Sequence, residues 1–227
     1  LPLEQMVIDR KDLPAQEGIN TRVLITGAAM TLVGKYIDIF KRAKLDLLSL
    51  ETEAFALVRS LVGKEKGGVM ICDMGAVRTS LIVISGGIPM ISRSLDVGGA
   101  SITKTLASHM GVSLSQAEDM KRDLRSVGNE LPKTIEDMMT LLANEIKYNL
   151  NLYTSQGEGA PVEKILLTGG SAQIPGIPEF ITRAVGIKTF VGDPWARVIY
   201  PESLRPVLDA IGSRFAVAIG LAMRDIE

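Results

Sequence analysis

An α/β fold is what this sequence predicts, on three observations. Apolar runs of strand length alternate with segments whose apolar residues recur every three or four positions. Two of the strands run directly into glycine turns, Asp73-Met74-Gly75 and Thr168-Gly169-Gly170, far apart in the chain. Over 227 residues, 46% are hydrophobic and 22% charged, which is the composition of a packed globular chain able to bury a core.

In chain order, residues 22 to 26 (RVLIT) read as a strand and Leu32 to Ala43 as a helix, with Val33, Ile37 and Phe40 on one face. LDLLSLETEAF supplies a second extended segment, and a helix follows from about Thr52 to Val62, ending near Gly63. The KEKGG turn leads into a strand at 69 to 73. Segments 80 to 85 and 88 to 95, joined by Ser85-Gly86-Gly87, complete a three-stranded meander. After Val97-Gly98-Gly99 a helix begins near Ala100 or Ser101 and meets a left-handed stop at Gly111. Ser113 heads the next helix with Gln116 three residues on, the spacing of a capping box. Ile135, Met138, Met139, Leu142, Ile146, Leu150 and Tyr153 mark a long amphipathic helix within Leu131 to Tyr153. GEGAP is the most linker-like stretch. Beyond it come a strand at 164 to 168, the Gly169-Gly170-Ser171 turn, a helix near Pro178 to Val185 ending at Gly186, and the short strand KTFVG. A proline-containing loop through Trp195 to Pro206 then precedes a last helix over Arg214 to Arg224.

Several functions are excluded or disfavoured at this level. With 25 basic and 26 acidic residues there is no cationic excess to neutralise a phosphodiester backbone, so no nucleic-acid partner is expected. The longest apolar stretch, Phe215 to Met223, falls far short of the ~20 residues of a spanning helix. No targeting segment is visible, and the single Cys72 lies in an apolar strand, so a reducing, cytoplasmic setting is expected. His109 has no His or Cys at ligand spacing. Trp195 reads as a packing anchor for its loop, and Met120, Met138 and Met139 as gap-fillers of a core. Lys121, Arg122 and Arg125 read as a solvated basic face.

The glycine turns carry the chemistry. An Asp ending a buried strand, as Asp73 does, can hold Mg2+ through water or orient an attacking water. Gly75 lets the backbone approach an anion, and the turn amides with the hydroxyls of Thr79 and Ser80 can donate to phosphate oxygens. Asp-x-Gly also simply closes hairpins, and that alternative stays open. Gly169, Gly170 and Ser171 offer bare backbone to a nucleoside or phosphate, or only a close strand-helix approach. Gly98 and Gly99 open a helix whose free amides favour an anion, or merely start that helix.

The order of these motifs, with DVGGASITKTLA, KILLTGGSAQIPGIPEFI, GDPWARVIYPESL and FAVAIGLAMR, resembles the PilM family of type IV pilus assembly proteins over nearly the whole chain. That resemblance implies an actin-like ATPase (ribonuclease H-like) fold related to FtsA: residues 1 to 50 as part of a small 1C-like subdomain, and 51 to 227 mainly as the second lobe. Within the latter it implies a first-lobe helix at 51 to 66 and a connecting helix at 214 to 224, whose Gly220 permits close packing or hinging. It makes Asp73, Gly75, Thr79 and Ser80 the second phosphate turn, places Gly98 and Gly99 beside the cleft, and makes Gly169, Gly170 and Ser171 the adenosine turn. Glu118 and Lys121, three apart on one helical face, match an adenosine-contacting pair, or form an ordinary ion pair.

The family's cofactors are ATP and Mg2+, with Asp73 as the catalytic and metal-facing carboxylate. Its partner is the N-terminal cytoplasmic tail of PilN, along with other inner-membrane pilus components, and self-association is allowed for. Function is then pilus biogenesis and twitching motility, at the cytoplasmic side of the inner membrane, by binding and at most slow ATP hydrolysis. A sugar or acetate kinase and an FtsA-like filament former are the alternatives. No DxGxxxK string, the family's first phosphate turn, occurs in these residues, and the chain opens with Leu1-Pro2-Leu3. A fragment of a longer protein is therefore expected, one that binds ATP weakly or not at all and hydrolyses none.

Overall fold

The computed structural model describes residues 2–13, 23–123, 131–157 and 159–224. They fall into two units, Leu1–Glu51 and Thr52–Glu227, taken separately below.

In the first unit, β1 (Met6–Asp12) pairs antiparallel with β2 (Val23–Ala29), Met6 opposite Ala29, and α1 (Met30–Ala43) follows directly. The β1 strand is absent from the sequence expectation. Its Asp9-Arg10-Lys11-Asp12 stretch offers no apolar alternation, and only pairing with β2 extends it. None of the unit's described residues is buried. The segment after α1 was expected to be extended, yet residues 45 to 52 adopt no regular structure. Leu45, Leu48 and Leu50 are exposed, and no strand partners them among the described residues.

The second unit is a three-layer sandwich built on a five-stranded sheet of order β5-β4-β3-β6-β7. The strands are β3 (Gly68–Met74), β4 (Thr79–Ser85), β5 (Ile88–Leu95), β6 (Val162–Thr168) and β7 (Lys188–Val191). The meander β3-β4-β5 is antiparallel as expected, while β6 and β7 run parallel to β3. Both faces of the central strands are covered, which is why they read as continuous apolar runs. On one face Met70, Cys72, Leu81, Val83, Ile165 and Leu167 pack with Ile102, Leu106, Met139, Leu142, Ile146 and Ile181. These belong to α3 (Gly99–Met110), α5 (Lys133–Ser155) and α6 (Ile177–Val185), with Ala117 of α4 (Leu114–Asp123) joining them. On the other face Val69, Ile71, Ile82, Ile84 and Leu166 meet Leu57 of α2 (Glu53–Leu57) and Ala216 of α7 (Arg205–Ala222). Burial pushes the Cys72 thiol far above its ordinary range, and the neighbouring Asp73 adds to the shift.

The local signals mostly hold. Ser113 and Gln116 make the reciprocal capping bonds at 3.0 and 3.3 Å, and Gly111 ends α3 in the left-handed region. The helix begun by Glu53 continues as a π-helical turn from Val58 to Val62. Met139 is buried, but Met120 is exposed and fills no core gap. Helix α7 starts at Arg205 and not at Arg214, because Pro206 occupies the first turn, where its missing amide costs nothing. Trp195 anchors its loop to α7. Its indole Nε1 donates to Leu208 O at 2.8 Å, and its ring meets Phe215 at 6.2 Å and Tyr200 at 6.5 Å. At Gly220 the packing is close: a Cβ there would fall 2.8 Å from Ala56 Cα. Arg125 lies outside the described residues.

Candidate functional site

Parallel pairing of β3 with β6 sets Asp73 opposite Thr168, so both glycine turns leave the sheet side by side at the carboxyl ends of their strands. In open α/β sheets that is where ligands bind. A cavity of about 430 Å3 opens there, within the range of small-molecule sites. Gly75, Gly99, Glu118, Lys121, Gly170 and Ser171, all expected from the sequence, line it, together with Ala76, Ala100, Arg122, Ile174 and Arg214.

The first turn is open. Ala76 and Val77 are exposed, and among the described residues their amides meet no acceptor, while Gly75 N donates to Arg78 O at 2.9 Å. Free amides of this kind are an anion seat. The expectation of free amides at the start of α3 needs correction: Gly99 N donates to Gly75 O at 2.9 Å and Ala100 N to Ala76 O at 2.8 Å. The helix N-terminus is spent on holding the turn. Gly98 does not line the cavity. A Cβ there would lie 2.6 Å from the Val77 carbonyl carbon, so glycine is required for the helix to come this close.

Asp73, next to last in β3, is half-buried behind the turn. Burial, with the charge of Glu53 adding, pushes its carboxyl up from 3.8 to about 6. Thr79 and Ser80 are not brought to the cavity wall. Thr79 is 1% exposed and donates its hydroxyl to Val97 O at 2.6 Å, and Ser80 Oγ lies 3.5 Å from Ser94 Oγ.

The second turn is closed. Gly169 sits at φ +86 against Met74 and Asp73, with no room for a Cβ. Its amide and the Thr168 hydroxyl both donate to Ser213 O of α7, each at 2.9 Å. Ser171 Oγ would lie 2.7 Å from a Cβ on Gly99, so the two turns nearly touch.

Glu118 and Lys121 are indeed an ion pair, 2.6 Å apart, but they do more than that. Lys121 Nζ also donates to Thr103 Oγ1 at 2.8 Å and Gly99 O at 3.1 Å, which uses all three of its protons and ties α4 to the start of α3. Thr103 donates to Glu118 Oε2 at 2.6 Å. Burial works against ionisation of Glu118, but those hydrogen bonds and the charges of Lys121 and Arg122 outweigh it, and its pKa falls. Arg122, read as merely solvated, stands 3.4 Å from Glu118 at the cavity wall. Its four-residue spacing from Glu118 was the available signal. Nothing in the local sequence marks Arg214, which reaches the site only because α7 docks on the second turn.

Comparison with known proteins bears on the fold and the family. A chain of the PilM-PilN type IV pilus biogenesis complex matches with a TM-score of 0.82 at 26% identity, over 99% of this chain and 68% of that one. MreB5 of Spiroplasma citri bound to ADP matches at a TM-score of 0.60 and 18% identity, over 88% of this chain and 66% of that one. EutJ of Carboxydothermus hydrogenoformans gives 0.62 at 20%, over 82% and 58%. The fold is thus that of the actin-like ATPases. The ethanolamine utilization protein EutJ of Escherichia coli K12 is 26% identical over 147 residues, 65% of this chain, which spans only 48% of its length. The family described as type IV pilus assembly protein PilM matches residues 2–226. This chain belongs to that family.

Proposed function

We propose that this chain forms the nucleoside wall and the second phosphate turn of an actin-like ATP site, and that it serves type IV pilus assembly by capturing the N-terminal cytoplasmic peptide of PilN. One observation supports the nucleotide reading above the rest: β3-β6 pairing sets the unpaired amide of Ala76, with that of Val77 next to it in the turn, beside the bare backbone of Gly170, and Ala76 and Gly170 line one cavity. The PilN reading rests on family membership and on the PilM-PilN complex as a relative. Residues 1 to 50 would then be the 1C-like part and 51 to 227 mainly the second lobe. Attachment to the inner membrane would be through partners, since no helix among the described residues is long and apolar enough to cross it.

The residues fit a nucleotide. Phosphate oxygens accept from the Ala76 and Val77 amides, the Gly170 backbone takes the nucleoside, and the Glu118-Lys121-Thr103 cluster supplies polar groups beside it. The fit to Mg2+ is narrower. Among the described residues no group of three acidic, His or Cys side chains could hold an ion, so Asp73 would act through water, with Glu53 as the second nearby charge. Bound Mg2+ would neutralise phosphate charge. Asp73 would orient that hydration, and nucleotide would bias the binding state, with output by binding and not by turnover.

Calorimetric titration tests both halves. ATP with Mg2+ should bind weakly, with Kd on the order of 10⁻⁴ to 10⁻³ M, because no DxGxxxK turn contributes. A PilN N-terminal peptide should bind in a separate titration. Absence of ATP binding even at millimolar concentration removes the nucleotide reading, and absence of peptide binding removes the scaffold reading.

A further inference from the structure

We propose that the outer edge of β5 is a docking site for another protein, taking an extended, apolar segment with one acidic residue as a sixth strand of the sheet. The sheet has two edges, and they are unlike. β7 is four residues long, the kind of short edge that resists further pairing, whereas β5 runs for eight. The guards of β5 stand at one end only: Pro89, which has no amide to offer, and the register shift between Val83 and Ile84 opposite it. Beyond them residues 91 to 95 pair with β4 in unbroken register, and among the described residues their backbone makes no hydrogen bond outside that ladder. Ser92, Arg93 and Ser94 are exposed in succession, so both faces of the strand are open here.

The surface beside that edge is apolar. Arg93 lies over the Tyr148 ring of α5, 4.9 Å from its centroid, which sets this part of α5 next to β5. Leu141 stands two turns before Tyr148 and Leu152 one turn after it on the same helical face, and all three are exposed. A strand laid along β5 would rest alternate side chains on this stripe while its backbone completes the open ladder. Charge narrows the choice of strand. Glu145 and Lys147 flank Tyr148 and offset each other, while Arg93, the single charge of β5, has no ion-pair partner among the described residues. The surface therefore asks for one carboxylate. A second copy of the chain answers that poorly. β5 carries no acid, so pairing it with itself brings two Arg93 side chains into one interface with no carboxylate on either strand.

The probe is the labelled peptide TVEVTV, which alternates β-formers around one acid, with TVKVTV as its control, each titrated into the whole 227-residue chain by fluorescence anisotropy. TVEVTV should bind with Kd on the order of 10⁻⁴ M, about fivefold tighter than TVKVTV, and Arg93→Ala should abolish that preference. Tyr148→Ala should weaken TVEVTV by about tenfold. Leu141→Ser, at an exposed position, should weaken it by about threefold and leave the melting temperature unchanged. Amide hydrogen exchange reads the place: bound TVEVTV should slow exchange in residues 91 to 95 and leave β7 unaffected. No binding at millimolar peptide, equal affinity for the two peptides, or protection outside β5 overturns the inference. Protection of the same amides that grows with protein concentration in the absence of peptide also overturns it, by making the occupant a second copy. Displacement of TVEVTV by a PilN N-terminal peptide overturns it as a separate site, while the nucleotide and PilN readings are decided by their own titrations.

Discussion

The two glycine turns at the end of the sheet are neighbours of opposite character. The turn after β3 is exposed, with the amides of Ala76 and Val77 unpaired among the described residues, and the first residues of α3 brace it from behind. The turn after β6 is locked by Ser213 of α7 and by the contact of Gly169 with Met74 and Asp73. One is built to donate hydrogen bonds to a guest, and the other is a finished wall. Pairing a rigid surface with an unsatisfied one reduces the ordering cost of binding while keeping donors for the ligand.

The sharpest way to break this contrast is to add one methyl group to each turn. Gly169→Ala forces a side chain into left-handed backbone and against Met74, and should cost about 3 kcal/mol or more, lowering the melting temperature by roughly 10 °C. Gly75→Ala meets only Arg78 O at 2.9 Å and should cost about 1 kcal/mol. Equal losses in calorimetric melts would mean that the first turn is as rigid as the second.

Next in size is the carboxylate between them. Asp73 has its pKa raised from 3.8 to about 6, so its contribution to stability is fully present below pH 3.8 and is lost as the pH rises through about 6. Asp73→Asn removes that dependence. Relative to wild type, the variant should gain about 3 kcal/mol at pH 8 and almost nothing at pH 3.5, measured by urea unfolding at both values. A gain of the same size at both pH values would refute the assigned titration.

The smallest effect is at Thr79. Its hydroxyl braces Val97 behind the open turn and does not face the cavity. Thr79→Val should cost about 1 kcal/mol and leave ATP affinity within about twofold. A larger fall in affinity, seen by titration, would show that the hydroxyl turns to the ligand.

Much of the sandwich was legible because its signals are local. Continuous apolar runs gave β3, β4 and β6, three- and four-residue spacing gave α5, and Ser113, Gln116 and Gly111 punctuated α3 and α4. The strand β1 and the first nine residues of α7 were missed. The former needs β2 beside it, and the latter hides its helical start behind Pro206. At the cavity, glycines announced themselves by standing where strands end and a helix begins. Thr103, Arg122 and Arg214 did not, since an exposed or hydroxyl side chain gains meaning only from what the tertiary fold puts opposite it. Thr79 and Ser80, expected at phosphate from the hydroxyls along the turn, have their hydroxyls against Val97 O and Ser94 Oγ instead of at the cavity wall.

Pairing Asp73 with Thr168 also imposes an order on biosynthesis. The β3 strand leaves the ribosome before α3, α4 and α5 are even translated, and it must wait for β6 to acquire its parallel neighbour. Until then the nascent polypeptide carries one half of a pocket and an uncovered strand edge, so the interval between those two syntheses is when this protein is most open to chaperones and to mispairing.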